Sequence, residues 1–264
     1  MDFHVWARPG AATLALVAAL LVPPPLQAQH RSFYIDESTD FSGNGCENAD
    51  LNEVTASLTN SLIADGWAGE RWMNANAWPQ DFYEQSFAGL SGLDGVYGDA
   101  RTLAVYAGHG NRALLQYGFP RLGQCMVGLD TQARLGTLWG DSAGFAMYLT
   151  SCTINLDSLG RHFNNQLRQS FGYHNSPSVG DDQPNDFYQA TSGLRNSRAW
   201  VEEMEDMPGW FTGDNSPITL TTGLYDSHCW LVHDNARLRG AVLLTPSPEP
   251  LGWFCYEMFD NGGC

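Results

Sequence analysis

Val105-Tyr106-Ala107-Gly108-His109-Gly110 and Tyr148-Leu149-Thr150-Ser151-Cys152 decide the reading of this chain. Each is a short apolar run that stops at a reactive side chain, His109 in the first and Cys152 in the second. The near-continuous apolar run from Thr102 to Ala107 is what a parallel strand buried on both faces requires. Parallel strands in an open α/β sheet deliver their last residues to one rim, where such sheets place their chemistry. Two neighbouring strands ending this way set an imidazole beside a thiol, the pairing that activates a cysteine nucleophile.

Outward from these two runs the chain alternates strand and helix patterns. Ser32 to Ile35 reads as a first strand. Leu51, Val54, Leu58, Leu62 and Ile63 then recur at helical spacing up to Gly66. Glu70 to Trp78 suits a second strand before a short helix near Asp81 to Phe87, and Gly89 to Asp99 is dense in turn residues. A polar, glycine-bearing region follows His109 to about Gln124, and Gly128 to Gly144 is expected to hold a helix and turns. Phe145 to Thr150 is the next strand. A helix through Leu156, Leu159, Phe163 and Leu167 follows it, then a strand at Gln169 to Tyr173 and a polar stretch from His174 to Asp186. Ser197 to Met204 reads as helix, and Ile218 to Thr222 and Ala241 to Thr245 as late strands. The alternation predicts an α/β fold with a mostly parallel sheet flanked by helices.

The flanks of the two reactive residues carry chemistry as well. Gly108 and Gly110 allow a ligand to approach the backbone closely, and the Gly110 N–H is placed to serve an oxyanion hole. Cys152 stands between a strand and a helix pattern, and a helix N-terminus with a nearby imidazolium lowers a thiol pKa. Asp181 and Asp182, in the polar stretch, are the acidic side chains available to receive a basic substrate side chain; a solvated acidic loop is the other reading.

His109-Gly110 and Ser151-Cys152, each closing an apolar strand, resemble the caspase–gingipain–legumain superfamily of cysteine peptidases. The resemblance spans about Phe33 to Met204, with Phe171-Gly172 and Ala199-Trp200 as supporting matches. It is nearest to secreted bacterial members. It implies a caspase-like three-layer sandwich in which His109 is the base, Cys152 the nucleophile, and the Gly110 and Cys152 N–H groups bind the oxyanion. The function that follows is a secreted endopeptidase acting on peptide or protein substrates. The alternative is a catalytically inactive caspase-like extracellular binding module. The sequence departs from the family in lacking a clear acidic specificity signature, a processing site between two subunits, and a third group to orient His109.

A rival constellation is Gly140-Asp141-Ser142-Ala143-Gly144, the Gly-x-Ser-x-Gly pattern of a nucleophile elbow, which makes a serine esterase using Ser142 the third reading. Asp226 with His228 or His233 follows in the chain order an esterase needs. His228, Cys229 and His233 lie close together, yet no second Cys/His pair completes a zinc pattern. No metal site and no cofactor are expected.

Composition narrows the compartment and the partners. Ala11 to Val22 is an apolar run of signal-peptide length broken by Pro23, Pro24 and Pro25, with Leu26-Gln27-Ala28 as a cleavage site. Residues 1–28 are therefore read as a signal peptide, 29–206 as the caspase-like domain, and 207–264 as a C-terminal extension packed on it. The expected location is secreted or periplasmic, with no stable membrane insertion after cleavage. The net charge of −16, with all 13 basic residues arginine, argues against nucleic-acid binding. Six cysteines in an exported chain imply disulfides, and they allow fifteen pairings, three of which close the tail through Cys255 and Cys264. A free Cys152 leaves five partners, so a second free thiol is required for the peptidase reading.

Overall fold

A computed structural model describes residues 31–42, 45–136, 143–157, 159, 167–208, 213–239 and 252–264. Its elements, in chain order, are β1 (Ser32–Glu37), α1 (Ala56–Ala64), β2 (Ala68–Met73), β3 (Leu103–Ala107), β4 (His109–Asn111), β5 (Leu114–Arg121), β6 (Gln124–Gly128), β7 (Phe145–Leu149), β8 (Gln169–Tyr173), α2 (Gln183–Ala190), α3 (Asn196–Met204), β9 (Pro217–Gly223), α4 (Asp226–Asn235) and β10 (Trp253–Met258). Seven of the described strands form one sheet in the order β10-β9-β8-β7-β3-β1-β2. The pairs β2–β1, β1–β3, β3–β7 and β7–β8 are parallel, and β9 and β10 close the edge in antiparallel register.

Alternation along the central strands sorts the core into two layers, because successive side chains leave a strand on opposite faces. Phe33, Ile35, Leu103, Val105, Phe145, Met147 and Phe171 face a helical layer that contributes Leu58, Leu62, Phe187, Trp200 and Met204. Tyr34, Ala104, Tyr106, Ala146 and Tyr148 face the other way, against Phe82, Tyr83, Leu115, Tyr117 and Val127. The chain is thus a three-layer α/β arrangement around a mostly parallel sheet. At the centre of the helical layer Trp200 is fully buried against Phe171, Phe187 and Tyr173, and its Nε1–H donates to Gly172 O at 3.1 Å.

The helix expected across 51–66 is shorter than its apolar pattern. Glu37 accepts the Val54 N–H at 2.6 Å and the Thr55 hydroxyl, which holds 51–54 outside the helix. The helix then ends in a Schellman motif: Gly66 at φ +81 donates to Ile63 O and Trp67 donates to Leu62 O, both at 3.0 Å.

Several expectations are corrected. The stretch after His109 is a three-stranded sheet, β4-β5-β6, whose alternation (Leu115 and Tyr117 buried) is interrupted by Gly118 and Pro120. The helix near Asp81 to Phe87 is a 3₁₀ turn at Pro79–Asp81, and residues 129–136 contain no helix. Helices α2 and α4 and strand β10 were not anticipated. Residues 1–30, Ser142 with its neighbours Gly140 and Asp141, most of the expected helix after Leu156, and the expected strand at 241–245 lie outside the described residues.

Candidate functional site

Chain order creates a switch point in the sheet: from β1 the chain moves to β2 on one side and then to β3 on the other. The connections diverge there, leaving a crevice beyond the carboxyl ends of the two strands, the usual ligand position in an open α/β sheet. A cleft of about 270 Å³ occupies this position. Its floor comes from the ends of β1 (Glu37, Ser38), β3 (Ala107, Gly108, His109) and β7 (Leu149, Thr150, Ser151), and its walls from Leu51 to Val54 and from Pro177 to Val179.

The floor is nearly neutral. Glu37 is buried and receives Arg71 Nη2 at 2.5 Å and Nε at 3.0 Å, so its charge is matched before any ligand arrives. Arg71 also reaches Glu53 at 2.7 Å. The Thr150 hydroxyl, from a residue lining the cleft, is buried without a hydrogen-bond partner.

His109 lines the cleft, but its ring is already engaged. Nε2 lies 2.7 Å from Ala49 O, to which only a protonated nitrogen can donate, and the ring meets Phe41 edge-on with centroids 4.7 Å apart. Gly110 pairs with Leu115 in the β4–β5 hairpin. A Cβ there would stand 2.5 Å from Thr150 Oγ1 and 2.4 Å from Leu114 O, so glycine is needed for packing.

Cys152 overturns the peptidase expectation. It follows β7 as anticipated, yet it is bonded to Cys264, and Cys46–Cys125 and Cys229–Cys255 complete the set, leaving no free cysteine. A thiolate nucleophile therefore does not exist in this form of the protein, and the cysteine-peptidase assignment falls with it. The residue also turns away from its strand, at φ +54, and its N–H donates to Asn175 O at 2.9 Å rather than standing open to an oxyanion. The tail is closed onto Cys152, not onto Cys255.

No protein-family model matches this chain, and no curated protein sequence matches it.

The remaining sequence candidates are dispersed. Asp181 and Asp182 are exposed at the start of α2 and do not line the cleft; Asp182 Oδ1 accepts from Ser57 Oγ at 3.0 Å. His233 is buried, with Nδ1 3.0 Å from Thr221 Oγ1 and Nε2 3.3 Å from Glu257, while His228 Nδ1 accepts from the Leu224 N–H at 3.0 Å. Cys229 is bonded to Cys255. No group of three or more His, Cys, Asp or Glu among the described residues could hold a metal ion. The cleft walls at 51–54 and 177–179 are loop: Leu51 and Val54 share the helical spacing that continues into α1, which hid their role as a wall, and 177–179 carry no periodicity.

Proposed function

We propose that this protein is an exported, catalytically inactive binding module on a caspase-like scaffold, and that its strand-end cleft takes one residue of a short peptide segment. The observation that carries the reading is the conversion of Cys152, the residue that closes β7 beside the His109 strand, into half of a disulfide. The scaffold comparison draws support from five consecutive parallel strands and from the adjacency of β3 and β7. Export draws support from three disulfides, which persist in oxidising compartments. No helix among the described residues is long and apolar enough to cross a membrane.

The size and lining of the cleft argue for a side chain rather than a bulky cofactor. At about 270 Å³ it lies just below the range of drug-sized pockets, roughly 300–1,000 Å³. Its charge is internally matched at Glu37, which suits a neutral polar or small apolar group.

The test is selection of peptides from a random displayed library on the native protein without reductant, followed by anisotropy titration of the enriched sequences. Ser178→Trp, which fills the cleft from its wall, is expected to weaken binding at least tenfold with the melting curve unchanged. The peptides should be recovered uncut. Absence of enrichment, or binding indifferent to Ser178→Trp, would overturn the assignment.

A further inference from the structure

The six half-cystines are not equally reachable. Cys46, Cys152, Cys229 and Cys255 are buried and Cys125 is half-buried, whereas Cys264 is exposed. Thiol–disulfide exchange requires a thiolate to reach a sulfur along the S–S axis, so access selects the bridge and also the sulfur attacked. The exposed half-cystine, Cys264, belongs to the bridge that ends at Cys152. We infer that Cys264 is a thiol-exchange site, the position at which a small thiol such as a glutathione-like tripeptide is taken up covalently.

The step is balanced without a further reactant. The incoming thiolate attacks Cys264 Sγ, a new S–S bond forms between it and Cys264, and the Cys152–Cys264 bond breaks with its electron pair going to Cys152. The thiol is oxidised to the level of a disulfide sulfur while Cys152 is reduced. The leaving sulfur has a stabilising neighbour: Ser176 Oγ lies 3.9 Å from Cys152 Sγ and can donate to the departing thiolate.

The geometry around Cys264 makes exchange reversible rather than a prelude to unfolding. The tail stays seated by contacts independent of the bridge. Asn261 N donates to Ser216 Oγ and Ser216 Oγ to Gly262 O, both at 2.9 Å. Asn261 Nδ2 reaches Asp214 O at 2.8 Å, Cys264 N donates to His174 O at 3.1 Å, and Arg112 donates to Cys264 O. After exchange the two sulfurs therefore remain neighbours, and Cys152 can expel the small thiol again. The other two bridges lack this combination: Cys229–Cys255 is buried at both ends, and Cys46 is buried behind a half-buried Cys125.

The inference does not depend on the cleft binding a peptide, because its readout is chemical. The native protein is incubated with reduced glutathione, quenched with N-ethylmaleimide, digested without further reduction and analysed by mass spectrometry at successive times. The expected products are glutathione on Cys264 and maleimide on Cys152, at least tenfold ahead of any label on the other four cysteines. Removing glutathione before quenching should restore the bridge. First exchange at Cys46–Cys125, glutathione carried by Cys152 with Cys264 alkylated, or simultaneous opening of all three bridges would each overturn it.

Discussion

Asp36 and Asp81 draw on one donor: the Tyr34 hydroxyl lies 2.8 Å from Asp36 Oδ1 and 2.9 Å from Asp81 Oδ2. A hydroxyl carries one proton, so the second contact must be made by a proton on a carboxyl group. Burial supplies the reason to keep it, since a carboxylate removed from water takes up a proton more readily. Burial raises Asp36 well above the ordinary carboxylate range and pushes Asp81 up to about 6. Asp81 Oδ2 also accepts the Trp78 N–H at 3.1 Å, and Tyr117 donates to Asp36 Oδ2 at 3.1 Å. The arrangement is a chain in which protonated Asp36 donates to Tyr34 and Tyr34 donates to Asp81.

An acid whose folded pKa is raised contributes stability that is complete below its unfolded pKa and lost as pH rises through the folded value. For Asp81 that window runs from 3.8 to about 6, and for Asp36 it extends higher. Asp36→Asn replaces the required proton with a permanent amide donor of the same shape. We expect it to fold, to flatten the decline of melting temperature with rising pH, and to gain stability above pH 7. A steeper decline in the variant would show that Asp36 is ionised in the native state.

His233 gives the opposite slope. Burial holds its pKa below the ordinary value although Glu257, 3.3 Å from Nε2, pulls the other way. A base with a depressed folded pKa stays neutral in the native state while the unfolded chain takes up a proton. Its contribution is therefore lost as pH falls below about 6.5. His233→Gln should lose roughly 1–2 kcal/mol at pH 7, the worth of a buried hydrogen bond left imperfect. It should also lose less further stability than wild type between pH 6.5 and 5. Denaturant melts at the two pH values decide it.

Gly110→Ala tests whether this glycine serves packing. With the added Cβ 2.4 Å from a backbone oxygen and 2.5 Å from Thr150 Oγ1, the β4 strand must shift. Overpacking of this kind costs typically 1–3 kcal/mol. A thermal melt within 1 °C of wild type would remove the packing argument.

The sheet was legible because Leu103 to Ala107 and Phe145 to Leu149 are apolar on both faces, while Gln169 to Tyr173, which carries Gln169 and Ser170, was legible from its place after the preceding helix pattern. Helix α4 escaped because only Cys229, Val232 and His233 of its residues are buried, which gives no apolar stripe to read. The short sheet β4–β6 was hidden by glycine and proline within its strands. The strand-end meeting of the His109 and Cys152 runs was visible, since it follows from parallel pairing. The fate of Cys152 was not. A disulfide depends on which Cβ atoms the finished fold brings within about 4 Å, and the partner, Cys264, lies in a tail with no periodicity.

His109 acts as a tie between β4 and the loop that leads to the cleft wall. Its Nε2–H donates to Ala49 O, and Ala49 leads directly into the Leu51 to Val54 wall of the cleft. Removing one such bond costs about 1 kcal/mol, small against the whole fold but concentrated in a segment outside regular structure. His109→Ala should therefore leave the melting temperature within a few degrees of wild type while hydrogen exchange across 48–54 accelerates several-fold. His109→Gln, whose amide can reach the same carbonyl, should restore much of the protection. Equal protection in wild type and His109→Ala would mean that Phe41 and Asp50, whose Oδ1 accepts the Phe41 N–H at 2.8 Å, hold the wall without the imidazole.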